Sequence, residues 1–161
     1  MNLALLFFFP EYGGRSFRLS LENLLEMLSV VPPIFILLGL LDVWLKRETM
    51  MKIMGEKSRL LGILIAFLLG SAAAGPLYAA FPVAGMLLKK GSKFSNVVIF
   101  IGAWSTTKIP LLLFEASSMG VPFMLLRFAI DIPVILLIAY ATEKLLSKND
   151  IDRIYALAEN D

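Results

Sequence analysis

The sequence predicts an all-α integral membrane protein, and three observations carry that expectation. Hydrophobic residues make up 58% of the 161 residues, and the mean hydropathy is +0.80. Soluble domains hold only about 45–50% apolar residues. Charged residues are 17%, against about 25% in soluble domains. The apolar residues also come in continuous runs of span length rather than in alternation, which sets aside a strand-built barrel. A chain this apolar and this sparsely charged does not fit disorder.

The chain contains no His and no Cys. That excludes zinc sites built on those ligands, haem with an axial His, Ser-His and Cys-His catalysis, and disulfides. No resident cofactor and no metal is expected. A net charge of +2 is too small to point to nucleic acid.

The elements follow in chain order. Residues 1–19 read as an N-terminal interfacial segment, with Leu3–Phe9 dipping into the bilayer surface. No basic residues precede that run and it stops at Pro10, which argues against a signal peptide. Residues 20–147 form the membrane domain. Its first span is 24–45, with Ser20 as N-cap, Trp44 near an interface and a kink at Pro32-Pro33. Lys46–Arg59 is polar, with Met50, Ile53 and Met54 on one helical face, and reads as a short helix lying on the membrane. The methionines Met50, Met51 and Met54 read as apolar contact rather than soft-metal ligands.

Leu60–Leu88 is interrupted by Gly70-Ser71-Ala72-Ala73-Ala74-Gly75-Pro76. Split there, the pieces 60–75 and 76–88 are about 22 Å and about 18 Å long. Neither reaches across a core of about 30 Å. Two further spans are 94–114 and 121–143. Residues 148–161 form a polar tail whose stripe Ile151, Ile154, Tyr155 and Ala158 predicts a surface helix.

The basic residues decide how the broken stretch is read. Lys46, Arg47, Lys52, Lys57 and Arg59 precede it, and Lys89, Lys90 and Lys93 follow it. Lys144, Lys148 and Arg153 follow the last span. Arg15 and Arg18 precede the first span, and the 115–120 loop has no cation. If the stretch enters and leaves by one face, eleven of these cations share a side and two lie opposite. A single crossing would split them eight to five. The positive-inside rule favours the first arrangement. The expectation is therefore three full spans plus a re-entrant hairpin, multi-pass in the cytoplasmic membrane, with the C-terminus cytoplasmic.

Backbone that leaves a helix at membrane depth must be buried in protein or face a water-filled cavity. Gly75 permits positive φ, and Pro76 suits the first turn of the next half-helix. That half-helix would present a positive dipole end to an anionic group. Gly62, Ala66, Gly70 and Ala74 recur once per turn and would let a second helix approach closely. The alternative is a packed helix merely kinked by Gly and Pro.

Lys108, Arg127 and Asp131 lie within apolar segments, where ionisable groups are costly and are usually paired or functional. Arg127 and Asp131 are four apart, so they share a helix face. Lys108 lies seven before Glu115. From the outer ends of their spans, Lys108 and Arg127 sit about 9 Å deep and Asp131 about 15 Å. These depths predict one cluster of Lys108, Arg127, Asp131 and Glu115, with its charges cancelling. It reads either as an ion-pair network fixing helix packing or as a substrate or proton-coupling site with Asp131 as proton carrier. Thr106, Thr107 and Pro110 loosen the helix around Lys108. Trp104 and Tyr78 read as packing aromatics, with a pathway-lining role as the alternative for both. Asp42, Glu26 and Glu143 sit near span ends and are expected in solvent. Ser105 with Lys108 is too little to indicate an enzyme.

The stretches GSAAAGPLYAAFPVAGMLLKKG, GAWSTTKIPLLLFE and GVPFMLLR resemble the predicted-permease family that includes the ArsP organoarsenical efflux permeases. The resemblance covers roughly residues 30–145. It implies an exporter built from two related halves, of which this chain would be one permease half-domain. Its partners would be the lipid bilayer, a small-molecule or ion substrate, and either a second copy in a parallel homodimer or a separately encoded half. Some relatives carry cysteines in the segment equivalent to Gly75–Pro82. This chain has none, so thiolate capture of trivalent arsenic is impossible here.

The function expected is a half-size permease subunit exporting a small polar or anionic solute, gradient-driven because no P-loop is present. Its pathway would run past Gly70, Ser71, Gly75, Pro76 and Tyr78 beside Thr106, Thr107, Lys108, Glu115, Arg127 and Asp131. The rival expectation is a non-transporting membrane assembly or anchoring subunit whose charges only pack helices.

Overall fold

A computed structural model describes residues 10–44, 46–73 and 75–160. The Leu3–Phe9 segment, Ala74 and Asp161 lie outside the described residues, as do the side chains of Glu26 and Asp42. The described residues form helices and turns, and they divide into two units at Gly39/Leu40.

The first unit is built from α1, Pro10–Trp44, whose last turn extends past the unit boundary. The helix α1 has 35 residues. Ser20 does not cap it. The helix begins ten residues earlier, and the Ser20 hydroxyl donates back to the Ser16 carbonyl at 2.9 Å. Arg18 and Glu22, one turn apart, are paired at 2.8 Å. The helix continues through Pro32 and Pro33.

The second unit contains α2 (Arg47–Met54), α3 (Arg59–Ala72), α4 (Ala80–Lys89), α5 (Phe94–Thr106), α6 (Ile109–Ser118), α7 (Val121–Leu145) and α8 (Lys148–Asn160). Short 3-10 turns at Glu56–Ser58 and Leu77–Ala79 precede α3 and α4. The hub is α5, which buries Val97, Ile99, Phe100, Ala103 and Trp104. Phe100 and Trp104 meet edge to face, with ring centroids 5.5 Å apart.

Small residues set the α3–α5 packing. Gly62, Ala66 and Gly70 are buried along one face of α3. A Cβ at Gly70 would stand 2.5 Å from the Phe100 carbonyl oxygen, so only glycine fits. At the other end, Gly62 faces Ser58 and Asn96. The pairs 62–96, 70–103 and 71–107 keep a nearly constant offset, so α3 and α5 run parallel. The chain between them must therefore return to its starting end. The Lys93 amide donates to the Met54 carbonyl at 2.8 Å, which joins the two ends of that excursion.

The helix α7 runs antiparallel to α5–α6. Glu143 pairs with Lys93 at 3.1 Å, Ile135 lies against Gly102, and Arg127 reaches Glu115. The helix α8 packs on α4 by its half-buried stripe Ile151, Ile154, Tyr155 and Ala158. The Tyr155 hydroxyl donates to the Ser92 carbonyl at 2.8 Å. Burial, and then the charge of Glu56, pushes this phenol up to about 12.

These contacts bring residues 46–59, 89–93 and 143–159 to one end of the unit, tied by Arg47–Glu159, Lys93–Glu56 and Lys93–Glu143. The opposite end is the Ser118–Val121 turn, which carries no cation. Glu143 is thus a partner of Lys93 with about a quarter of its side chain exposed, not a freely solvated group. Met50 and Met54 on α2 are buried in protein, which leaves Ile53 at the edge of that face.

Two stretches among the described residues are long and apolar enough to span a membrane, 94–118 and 121–145. Leu113, Phe114, Leu126 and Leu137 expose about two-thirds of their surface. So broad an apolar exterior calls for lipid or a protein partner around it.

Candidate functional site

Two helix breaks lie side by side in the second unit. The first follows α3. Gly70, Ser71 and Ala72 remain helical, and the chain becomes irregular only from Ala73. The tight seat of Gly70 on α5 holds that last turn in place. Gly75 takes φ +108°, the left-handed conformation glycine tolerates. Pro76 does not open a helix. It is extended (φ −72°, ψ 158°) and leads into the 3-10 turn of Leu77–Ala79, so α4 starts at Ala80. The Ala79 and Ala80 amides are already bonded within that turn, which reduces the donors a helix end would offer an anion.

The second break divides the 94–114 span outright, between α5 and α6. Thr107 and Lys108 are not helical, and Lys108 is extended (φ −64°, ψ 138°). The cause is Pro110. An unbroken helix would bond the residue-110 amide to the Thr106 carbonyl, and proline has no such N–H. The Thr106 and Thr107 hydroxyls turn back onto the carbonyls of Gly102 and Ala103, and the Lys108 carbonyl opens α6 by accepting the Leu111 and Leu112 amides.

The breaks are bonded to one another. Ser71 Oγ and Thr107 Oγ1 are 2.8 Å apart. With the Thr107 proton committed to Ala103, Ser71 is the donor. Lys108 Nζ donates to the Gly75 carbonyl at 2.9 Å, and the Trp104 indole N–H reaches the same oxygen at 3.4 Å. Trp104 is therefore both a core residue and a support for the break.

Arg127 serves the other side of the second break. Its Nη2 donates to the Thr106 carbonyl at 2.8 Å, in place of the amide that Pro110 lacks. Its Nε and Nη1 bind Glu115 and Asp131, each at 2.7 Å. All three guanidinium nitrogens are thus occupied, and the three charged side chains are each at least three-quarters buried. Arg, Glu and Asp together carry a formal charge of −1.

The expected cluster is only partly assembled. Glu115, Arg127 and Asp131 meet, whereas Lys108 pairs with no described carboxylate. The helix break at 107–108 removes the seven-residue relation between Lys108 and Glu115, and the cation turns to Gly75 instead. Pro76 and Tyr78 lie beyond the first break, and neither side chain joins the network; Tyr78 is half-buried. Residue spacing alone does not reveal the Arg127–Thr106 and Ser71–Thr107 bonds. Pro110 standing four residues after Thr106 is the readable signal for the first.

The model of the predicted permease family, the ArsP type, matches residues 15–159. The chain belongs to that family. No curated protein and no solved structure matches it. Membership makes this protein a membrane permease. The paired breaks of the permease lie between residues 71 and 108, inside the matched region.

Proposed function

We propose that this permease is a half-size subunit that exports a small polar or anionic solute across the cytoplasmic membrane, driven by an ion gradient. The observation that carries the reading is the pairing of two helix breaks whose carbonyls, at Gly75 and Thr106, are each met by a cationic side chain. Broken helices at membrane depth are where transporters place substrate and coupling ions. In this reading α3 and α4 form a re-entrant hairpin, and α1, α5–α6 and α7 are the full spans. The end that gathers eleven cations faces the cytoplasm and carries the C-terminus. A second copy in parallel, or a second half-size subunit, completes the pathway.

The residues divide the work. Lys108 holds the Gly75 carbonyl at rest and exchanges it for an anionic group of the solute. The Ser71–Thr107 hydroxyl bond holds the two breaks together beside that position. The Arg127–Glu115–Asp131 group is one proton short of neutrality, and Asp131 carries the coupling proton. Rocking of the breaks against the partner half exposes the site alternately to the two sides.

The test is flux. Everted vesicles loaded with a pH indicator are challenged with a panel of small organic and inorganic anions. Wild-type protein should give solute-dependent proton movement, and Lys108→Met and Asp131→Asn should give none while inserting and assembling normally. Equal signals from all three proteins would contradict the reading. Loss of assembly in Lys108→Met would indicate a packing role instead.

A further inference from the structure

A second feature lies away from the breaks, at the basic end of the unit. A cavity of about 480 Å³ opens between α3 and α7 over α5. That size is within the roughly 300–1,000 Å³ of small-ligand sites. Its lining is charged at one end of the helices. Glu56, Arg59, Lys93 and Glu143 are grouped there. Ile63, Ile99 and Leu136, one to two turns further along their helices, give an apolar wall, and the buried Ser58, Ser95 and Asn96 line the same cavity.

That end has a particular charge arrangement. Lys93 lies 3.1 Å from Glu143 and 3.8 Å from Glu56. Lys93 is shared by the two carboxylates, so that group carries one net negative charge, with Arg59 as the one further cation beside it. Arg59 is exposed, and its guanidinium makes no hydrogen bond or ion pair with another described residue.

Its backbone is also unusual. Arg59 is the one described non-glycine residue with positive φ, at +46°. L-residues avoid that region, and strain of this kind collects at binding sites. The surrounding turn enforces it. Ser58 Oγ donates to the Gly55 carbonyl at 2.6 Å, and Asn96 Nδ2 donates to the Met54 carbonyl at 2.8 Å and to Ser58 Oγ at 3.3 Å. The chain is thus pinned in a strained form that keeps an unpaired guanidinium at the charged end of the cavity.

We propose that this cavity binds one zwitterionic aminophospholipid of the phosphoethanolamine class. The phosphate sits on Arg59, the ammonium faces Glu56, and an acyl chain lies along Ile63, Ile99 and Leu136. A headgroup with one charge of each sign matches Arg59 on one side and the net-negative Glu56–Lys93–Glu143 group on the other. A purely anionic headgroup would leave Glu56 facing negative charge. The inference rests on the membrane placement of this end and not on the transport pathway.

Native mass spectrometry of the full chain in mild detergent, with added phosphatidylethanolamine or phosphatidylglycerol, tests it. Phosphatidylethanolamine should be retained, and phosphatidylglycerol should bind on the order of tenfold more weakly. Arg59→Gly relieves the positive φ, so its melting temperature should hold or rise while phosphatidylethanolamine binding falls about tenfold. Lys148→Gln, at the same end, should bind as wild type. Equal or tighter phosphatidylglycerol binding, no retained phosphatidylethanolamine, or full binding by Arg59→Gly would overturn the proposal. So would efficient disulfide cross-linking between copies of Leu136→Cys in native membranes, which would make the cavity an interface between chains. None of these readouts involves solute flux.

Discussion

Arg127 donates to the Thr106 carbonyl at 2.8 Å, and that carbonyl is the one whose helical partner is Pro110. A side chain from α7 thus completes a hydrogen bond that the backbone of α5–α6 cannot make. The break between α5 and α6 and the position of the guanidinium are two parts of one arrangement.

Arg127→Met should therefore be costly. It leaves the Thr106 carbonyl, Glu115 and Asp131 without their shared donor in partly buried surroundings. The expected loss is about 2–4 kcal/mol of stability, below the full cost of breaking a fully buried pair because water still reaches the group. Pro110→Ala supplies the missing amide. In that background Arg127→Met should cost about 1 kcal/mol less, measured as a double-mutant cycle on thermal unfolding in detergent. Strict additivity would show that the two residues do not share the carbonyl.

Gly70 offers a steric test of the α3–α5 seam. A methyl group there would collide with the Phe100 carbonyl and with Ala103. Gly70→Ala should destabilise by about 1–3 kcal/mol. Gly85→Ala, on α4 with nothing within 4 Å of the new carbon, should be neutral or stabilising by up to about 1 kcal/mol. Equal melting temperatures for the two variants would contradict the close approach.

The docking of α8 should depend on alkaline pH through Tyr155. Its ordinary value of 10.0 is raised to about 12, first by burial and then by the negative charge of Glu56. A raised value means the folded state favours the protonated phenol. The stabilisation is then fully present below about pH 10 and is lost as pH rises towards 12. Limited proteolysis of α8 should increase in that window for the wild type. Tyr155→Phe should lose about 1 kcal/mol of docking at neutral pH and show no such step. The same step in both proteins would assign the transition to another group.

Much of this architecture was legible in the sequence because it rests on spacing and charge. Gly62, Ala66 and Gly70 fall one per turn, and they form the α3–α5 seam. Lys93 and the 46–59 cluster share a sign, and they share an end. Arg127 and Asp131 are four apart on one helix, and they bond. The remainder depended on tertiary competition for backbone groups. Pro76 suits a helix start, but the Leu77–Ala79 turn takes up the chain first and moves the start of α4 to Ala80. Charge spacing places Lys108 in one cluster with Glu115, Arg127 and Asp131. The break leaves it facing a carbonyl of another segment, and apolar periodicity carries no signal for that choice. Ser20 had the chemistry of a cap, yet the helix had already begun at Pro10.

The central claim is that the paired breaks line a water-accessible pathway at membrane depth. The native chain has no cysteine, so a single Ala73→Cys reports on that position alone. The decisive measurement is its labelling by a small membrane-impermeant thiol reagent in intact cells and in everted vesicles. Lys148→Cys and Met119→Cys serve as controls for the two ends. Labelling of Ala73→Cys from at least one side, slowed by a transported anion, is the predicted result. Full protection of Ala73→Cys from both sides, with both controls labelled, would contradict the pathway and leave the breaks as packed structure.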